Sequence, residues 1–384
     1  MFSSRLEWGY ATNALAQLLE RRRGAGATIL DLTESNPTAA QFHYPAAEIL
    51  SALADPRSLR YEPDPAGLPA ARRAVAGYYG GRGHPDRILM TASTSEGYAL
   101  VFKLLADPGD EILVPRPSYP LFEYLAALDS VRVRQYPLVY HRRWEIDLDG
   151  LEAAITERTR AIVLVNPNNP TGSFVKKLEL ARLFEVCARH GLALVSDEVF
   201  FDYGFGEDPD RASSLAEAGE VLTFVLSGLS KIAGLPQLKL GWVAVGGPEE
   251  ARKEAFNKLE LIADTYLSVG TPIQWAAPLL LSSRLIVQEQ IRKRTRANLE
   301  FLRLQASPVS PWRVLDVEGG WYAILEVPRI RTEEEWTLAL LEQDSVLVQP
   351  GFFFDMEAEA FLVLSLLTPP EIFQEGVRRV LARI

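Results

Sequence analysis

The chain is poor in cysteine and in excess positive charge, and it has no long apolar runs. With Cys187 as the one cysteine in 384 residues, no intrachain disulfide can form, and a thiolate-rich metal cluster is excluded in practice. No metal site is expected. Forty basic against fifty acidic residues leave a net charge of -10, which argues against generic nucleic-acid or anionic-membrane binding and for a small-molecule partner. No stretch of roughly 18 apolar residues occurs, so no membrane span is expected, and residues 1–10 lack the apolar core of a signal peptide. A reduced, cytoplasmic setting follows as the expectation.

What is present is an ordinary globular composition, 48% hydrophobic and 23% charged. Apolar runs at 111–114, 161–165, 192–195 and 221–226 end in polar or glycine-bearing segments, and helix-period stretches such as 176–190 lie between them. That alternation predicts an α/β fold with a largely parallel, buried central sheet. Beyond Gly247-Pro248 the pattern turns to long helical stretches over 249–264 and 273–305, then to mixed strand and helix from 313 onward. Near the start, 11–23 reads as one helix, and Asp31 to Pro37 leaves a strand. The expected division is a large domain over 45–270 and a smaller α+β domain built from 1–44 and 271–384.

Three strand ends carry groups suited to one chemistry. Lys231 lies in Ser227-Gly228-Leu229-Ser230-Lys231, Asp197 ends an apolar strand, and Asn169 sits in the run Asn166-Pro167-Asn168-Asn169-Pro170-Thr171-Gly172. A carboxylate at the end of a buried strand is costly unless paired. Taken singly, Asp197 reads as a cap or salt bridge and Lys231 as a surface lysine. Together, an amine and a carboxylate converging at strand ends suit a Schiff-base enzyme, which holds a pyridine cofactor by its aldehyde and by its ring nitrogen. Thr91 to Gly97 follows the apolar Ile88-Leu89-Met90 run and opens a helical stretch to about Ala106, an arrangement that suits a phosphate or, equally, simple N-capping.

These motifs resemble the fold type I pyridoxal phosphate enzymes, specifically the class I/II aminotransferases, over nearly the whole chain. The resemblance implies that Lys231 binds the cofactor covalently and then moves the proton. By the same resemblance, Asp197 partners the ring nitrogen, Asn169 bonds the phenolic oxygen, and Tyr119 in Pro117-Ser118-Tyr119-Pro120 stacks on the ring. Ser93, Thr94 and Ser95 match the phosphate-binding turn, with Ser227 and Ser230 flanking the lysine, and Gly228 standing where many members have serine. Tyr61, before Glu62-Pro63, matches the tyrosine that reaches the neighbouring subunit's phosphate, which implies a homodimer with shared sites. Ser35 and Asn36 fall at the substrate entrance. Trp321 and Tyr322, after Gly319-Gly320, read either as an apolar wall of the site or as core.

Three positions depart from the pattern. Lys239 stands where an arginine usually binds the phosphate, keeping the charge and losing the planar fork. Phe200 replaces a tyrosine that donates to the phenolate, so the Schiff base is expected to hold its proton to higher pH. Val363, in Phe361-Leu362-Val363-Leu364-Ser365, replaces the arginine that clamps the substrate carboxylate, and no arginine lies between Arg331 and Arg378. The leading expectation is an aminotransferase (EC 2.6.1.-) that moves an amino group from a small-molecule donor, an amino acid or related amine, to a 2-oxo acid. A β-eliminating lyase, or a pyridoxal phosphate binding protein with little catalysis, stands beside it.

Overall fold

Valine, isoleucine and leucine dominate the central apolar runs, and such runs persist without alternation only where a strand is covered on both faces. In the computed structural model, which describes residues 2–6, 8, 12–80, 83–267 and 269–384, they form an eight-stranded sheet. Its order is Ile88–Thr91, Gly241–Gly246, Thr223–Gly228, Ala193–Asp197, Thr159–Val165, Glu111–Arg116, Arg132–Tyr140 and Trp144–Ile146. Five neighbours, from Thr223–Gly228 to Arg132–Tyr140, run parallel, and the outer pairings on both sides are antiparallel. The fold is α/β.

The helices that pack on this sheet include Thr94–Leu105 and Lys177–His190. Gly97 lets the first sit flush, because a Cβ there would meet Leu226 and Val243 of the sheet at 3.0 and 3.1 Å. Further along the chain come Glu249–Tyr266, Thr271–Ser282 and Arg284–Leu304. The stretch 273–305, read as one helical run, is therefore two helices broken at Ser283. Both Ser282 and Ser283 turn their hydroxyls back onto the Leu279 carbonyl, a local bond that competes with the helix ladder.

The C-terminal region carries a four-stranded antiparallel sheet in the order Arg313–Val314, Tyr322–Glu326, Phe361–Ser365, Gln349–Pro350. The N-terminal segment joins it. Leu30–Asp31 pairs in parallel with Val346–Leu347, and the Ser365 amide donates to the Leu32 carbonyl at 2.7 Å. The early helix is Ala14–Gly24, capped by the Asn13 side chain, which accepts from the Ala16 amide at 2.8 Å. Ala11, where the sequence reading began that helix, lies outside the described residues, as do Met1, Glu7, Gly9 and Tyr10 of the N-terminal segment. No helix among the described residues is long and apolar enough to cross a membrane.

Candidate active site

In a parallel sheet the loops that leave the strands' carboxyl ends gather at one edge, and register decides how closely. Val165 pairs with Asp197, and Asp197 with Leu226. The Asn166 amide donates to the Asp197 carbonyl, and the Glu198 amide to the Leu226 carbonyl, both at 2.8 Å. The loops that carry Asn169, Asp197 and Lys231 therefore open at one level.

Asp197 is held by two donors: the Val199 amide reaches Oδ1 at 3.1 Å, and the Tyr98 hydroxyl reaches Oδ2 at 3.0 Å. Burial pushes its pKa up to about 6, against these two hydrogen bonds and the Lys231 charge, which act to lower it. Lys231, in the short helix Leu229–Ile232, shows the mirror effect. Burial lowers its pKa to about 8, outweighing the attraction of Asp197. Its Nζ lies 4.9 Å from the ring centroid of Trp321 and 5.5 Å from that of Phe200. Amine and carboxylate are thus electrostatically coupled in an apolar setting. Tyr98 went unnoticed in the sequence, where a helical aromatic residue reads as core.

Ser93 caps helix Thr94–Leu105, its side chain accepting from the Glu96 amide at 3.1 Å, while the Glu96 carboxylate accepts from the Ala92 amide at 2.5 Å. The N-capping reading is thus met by Ser93 itself. The first-turn amides of Thr94 and Ser95 precede the helix's own hydrogen-bond ladder and are available to an anion. Gly241 brings this turn against the lysine's strand. A Cβ there would meet the Ser93 backbone at 3.0 Å and the Ser227 carbonyl at 3.1 Å. Ser227 is buried, and its Oγ has no partner among the described residues.

The Asn169 loop is locked from the other side. Gly172 has φ +68°, and a Cβ on it would lie 2.3 Å from Val317 and 2.4 Å from the Gly319 carbonyl, so glycine is required on both counts. Buried Lys176 bridges Asp208, at 2.7 Å, and Glu318, and the other Glu318 oxygen accepts from the Phe174 amide at 2.9 Å. These contacts fix the 317–321 segment and with it Trp321, which is wholly buried and packs edge-on against Phe200 at 5.1 Å. Trp321 is therefore core and a neighbour of the lysine at once. Tyr203 does not replace the donor missing at Phe200, because its hydroxyl is spent on the Lys231 carbonyl at 2.6 Å.

The remaining sequence candidates differ in burial and in their own contacts. Tyr119 is half exposed, Tyr61 is 76% exposed, and Lys239 is exposed with φ +51°. Ser230 is partly buried beside Lys231. Ser35 bonds the Tyr322 hydroxyl, while the exposed Asn36 turns its side chain onto Thr38. Val363 is completely buried opposite Ile324.

Next to Asp197 lies a second buried acid. Glu198 accepts from the Leu215 amide at 2.9 Å and from the hydroxyls of Ser214 and Ser196 at 2.5 and 3.1 Å, yet burial still pushes its pKa up to about 7. A raised folded-state value means that the folded chain binds the proton more tightly, so this group's contribution falls as pH rises from about 4.5 to about 7. Glu198→Gln keeps the acceptor for Leu215 and removes the titration. Urea unfolding of the variant should show a flatter pH profile across that window, by on the order of 3 kcal/mol. An unchanged profile would show that Glu198 does not titrate there.

The donor set fits pyridoxal phosphate. Among the described residues, the Ser227 and Ser118 hydroxyls, which can donate, and the acceptor oxygen of the Asn169 amide are buried without a partner, and such orphaned polar atoms are costly unless a ligand meets them. Ser227 lies at the end of the strand that leads to Lys231, and Asn169 and Ser118 follow the next strands beyond that of Asp197 in the same parallel set.

Comparison with known proteins agrees. Residues 27–380 match the model of the family described as aminotransferase class I and II. Nicotianamine aminotransferase 1 of Oryza sativa subsp. japonica is 31% identical over 356 residues, covering 86% of this chain and 70% of the relative. An S-alkyl-thiohydroximate lyase of Arabidopsis thaliana is 36% identical, but over only 56% of this chain and 48% of its own length. The solved alanine aminotransferase from Pyrococcus furiosus superposes with a TM-score of 0.89 at 26% identity, covering 100% of this chain and 99% of the other. With the family match spanning nearly the whole sequence and the strand-end lysine, aspartate and asparagine in place, the chain belongs to the class I and II aminotransferases, which depend on pyridoxal phosphate.

Proposed function

We propose that the protein is a cytoplasmic homodimeric aminotransferase in which Lys231 anchors pyridoxal phosphate and carries the amino-transfer proton between a small-molecule donor and a 2-oxo acid. One observation carries this reading: the Lys231 amine and the Asp197 carboxylate are coupled at one sheet edge, and both have pKa values displaced by burial. When bound, the cofactor supplies an electron-accepting pyridine ring. Asp197, oriented by Tyr98 and Val199, would keep the ring nitrogen protonated. The Asn169 amide would meet the phenolic oxygen, and Tyr119 the ring face. The phosphate would take the turn amides and hydroxyls of Ser93, Thr94 and Ser95, with Ser227, Ser230 and Lys239 around it.

A lysine pKa near 8 leaves both amine and ammonium forms populated close to neutral pH, which is what a group that must accept a proton and return it requires. The dimer reading is supported by the exposure of Tyr61 and of Leu59 close to it, at 76% and 94%, since large apolar side chains so exposed favour an interface. Burial of the single cysteine is compatible with a reducing compartment. We also propose a division near residues 45 and 270 into a large domain and a small domain joined by the N-terminal segment, supported by the pairing of Leu30–Asp31 with Val346–Leu347.

Incubation of the cofactor-loaded protein with a panel of 15N-labelled amines and amino acids, with pyruvate as acceptor, tests the activity. The expected outcome is 15N-alanine in step with loss of the donor. Ammonia released without need of any acceptor would instead place the protein with the lyases.

A further inference from the structure

The strand Phe361–Ser365 sorts its side chains by the period of two. Leu362 and Leu364 enter a core with Leu325, Trp336 and Phe373, whereas Val363 turns the other way and joins Trp321, Tyr322, Ile324, Phe354 and Met356. Trp321 of this second group is the residue whose ring lies 4.9 Å from the Lys231 amine. The wall that continues from the lysine toward the C-terminal sheet is therefore largely apolar, and no cation stands in it among the described residues. Its polar features carry no positive charge: the Tyr322 hydroxyl bonded to Ser35 and close enough to Glu34 to feel its carboxylate, the Gln349 amide paired opposite Val363, the Trp321 indole N–H, and the Ser118 hydroxyl next to an amide that donates to the Phe354 carbonyl at 3.0 Å.

No arginine or lysine occurs between Arg331 and Arg378. The arginines that touch neighbouring segments are engaged elsewhere. Arg294 donates to the Ala40 and Leu367 carbonyls and stacks 4.0 Å over Phe42, and Arg116 donates to the Asp355 carbonyl at 2.9 Å and pairs with Glu357 at 3.5 Å. A carboxylate set against such a wall would lose its hydration without gaining a cation, a penalty of several kcal/mol on the usual scale for an unpaired buried ion.

We infer that the substrate end facing the Phe361–Ser365 strand is uncharged, so that the site prefers a primary amine whose reacting carbon bears an alkyl, aryl or hydroxymethyl group where an α-amino acid bears its carboxylate. The inference rests on the aminotransferase reading and narrows its donor. The exchange balances without a further reactant: the donor amine becomes an aldehyde or ketone while the acceptor carbonyl becomes an amine, and water consumed in one half is released in the other. A 2-oxo acid acceptor meets the same wall, so its KM is raised above that of the aldehyde of equal chain length.

The test compares unreactive analogues on the cofactor-loaded protein, with 3-phenylpropan-1-ol against 3-phenylpropanoate and binding read from the change in cofactor absorbance. The alcohol should bind at least ~10-fold more tightly, with 2-phenylethylamine favoured over phenylalanine by ~100-fold in kcat/KM, and Val363→Arg should reverse both preferences, in line with the worth of a paired buried charge. Tighter binding of the carboxylate by the unaltered protein overturns the inference whatever the variant does. If that binding is then lost in Arg294→Gln, Arg294 is the clamp. Failure of the aminotransferase reading looks different: no donor transfers nitrogen, whichever analogue binds better.

Discussion

Replacing Lys231 with alanine should cut amino transfer by at least ~10⁴-fold, since it removes the covalent anchor and the proton carrier together. Added methylamine should restore a small, concentration-dependent part of the rate, because a free amine can enter the space left by the side chain and take over proton transfer. The same variant should be more stable than the parent when both lack cofactor. A folded-state pKa of about 8 against the ordinary 10.5 means that the unfolded chain binds the proton more tightly, so the charged amine penalises folding fully below about pH 8, and the penalty fades as pH rises to 10.5. Urea unfolding at pH 7 should show a gain of up to roughly 3 kcal/mol. Loss of activity together with loss of stability would instead assign Lys231 a structural task.

Asp197→Asn should lower turnover by on the order of 10²–10³, the usual effect of removing one oriented electrostatic group. The amide oxygen can still accept from the Val199 amide, and the new NH2 can donate to the Tyr98 hydroxyl oxygen, so the loop geometry survives while the charge that would hold a proton on the ring nitrogen is gone. The pH dependence follows from the direction of the shift. With its pKa raised to about 6, the cofactor-free Asp197 is an anion above that value and becomes neutral below it, so cofactor association should weaken as pH falls through about 6. Tyr98→Phe removes a bond to the anion and should move that limb upward, while Asp197→Asn should abolish it. Rates of cofactor association measured from pH 5 to 8 separate the three proteins, and coincident profiles would mean that Asp197 does not face the cofactor.

The central strands were legible because each is a short apolar run with a polar stop, and the same stops placed Asn169, Asp197 and Lys231. Arg132–Tyr140 escaped that reading. Its first half alternates arginine with half-buried residues, as suits a strand near the sheet's edge, so no apolar run marks it. Gly241–Gly246 escaped for another reason: its terminal glycines resemble a turn, yet Gly241 is there so that the Ser93 turn can approach Ser227. Tyr98 and Glu318 were invisible for a shared cause. Each acts on a partner roughly a hundred or more residues away, Tyr98 on Asp197 and Glu318 on Lys176, and neither spacing nor composition signals such a pair. Val363 was noticed as a departure, but its apolar company came only from the pairing of its strand with Tyr322–Glu326.

The most direct test is to load the purified protein with pyridoxal phosphate, reduce it with borohydride, digest it and locate the modified peptide by mass. A single adduct on Lys231, absent from Lys231→Ala, is expected; an adduct on another lysine, or one that persists in that variant, would mean that Lys231 is not the anchor.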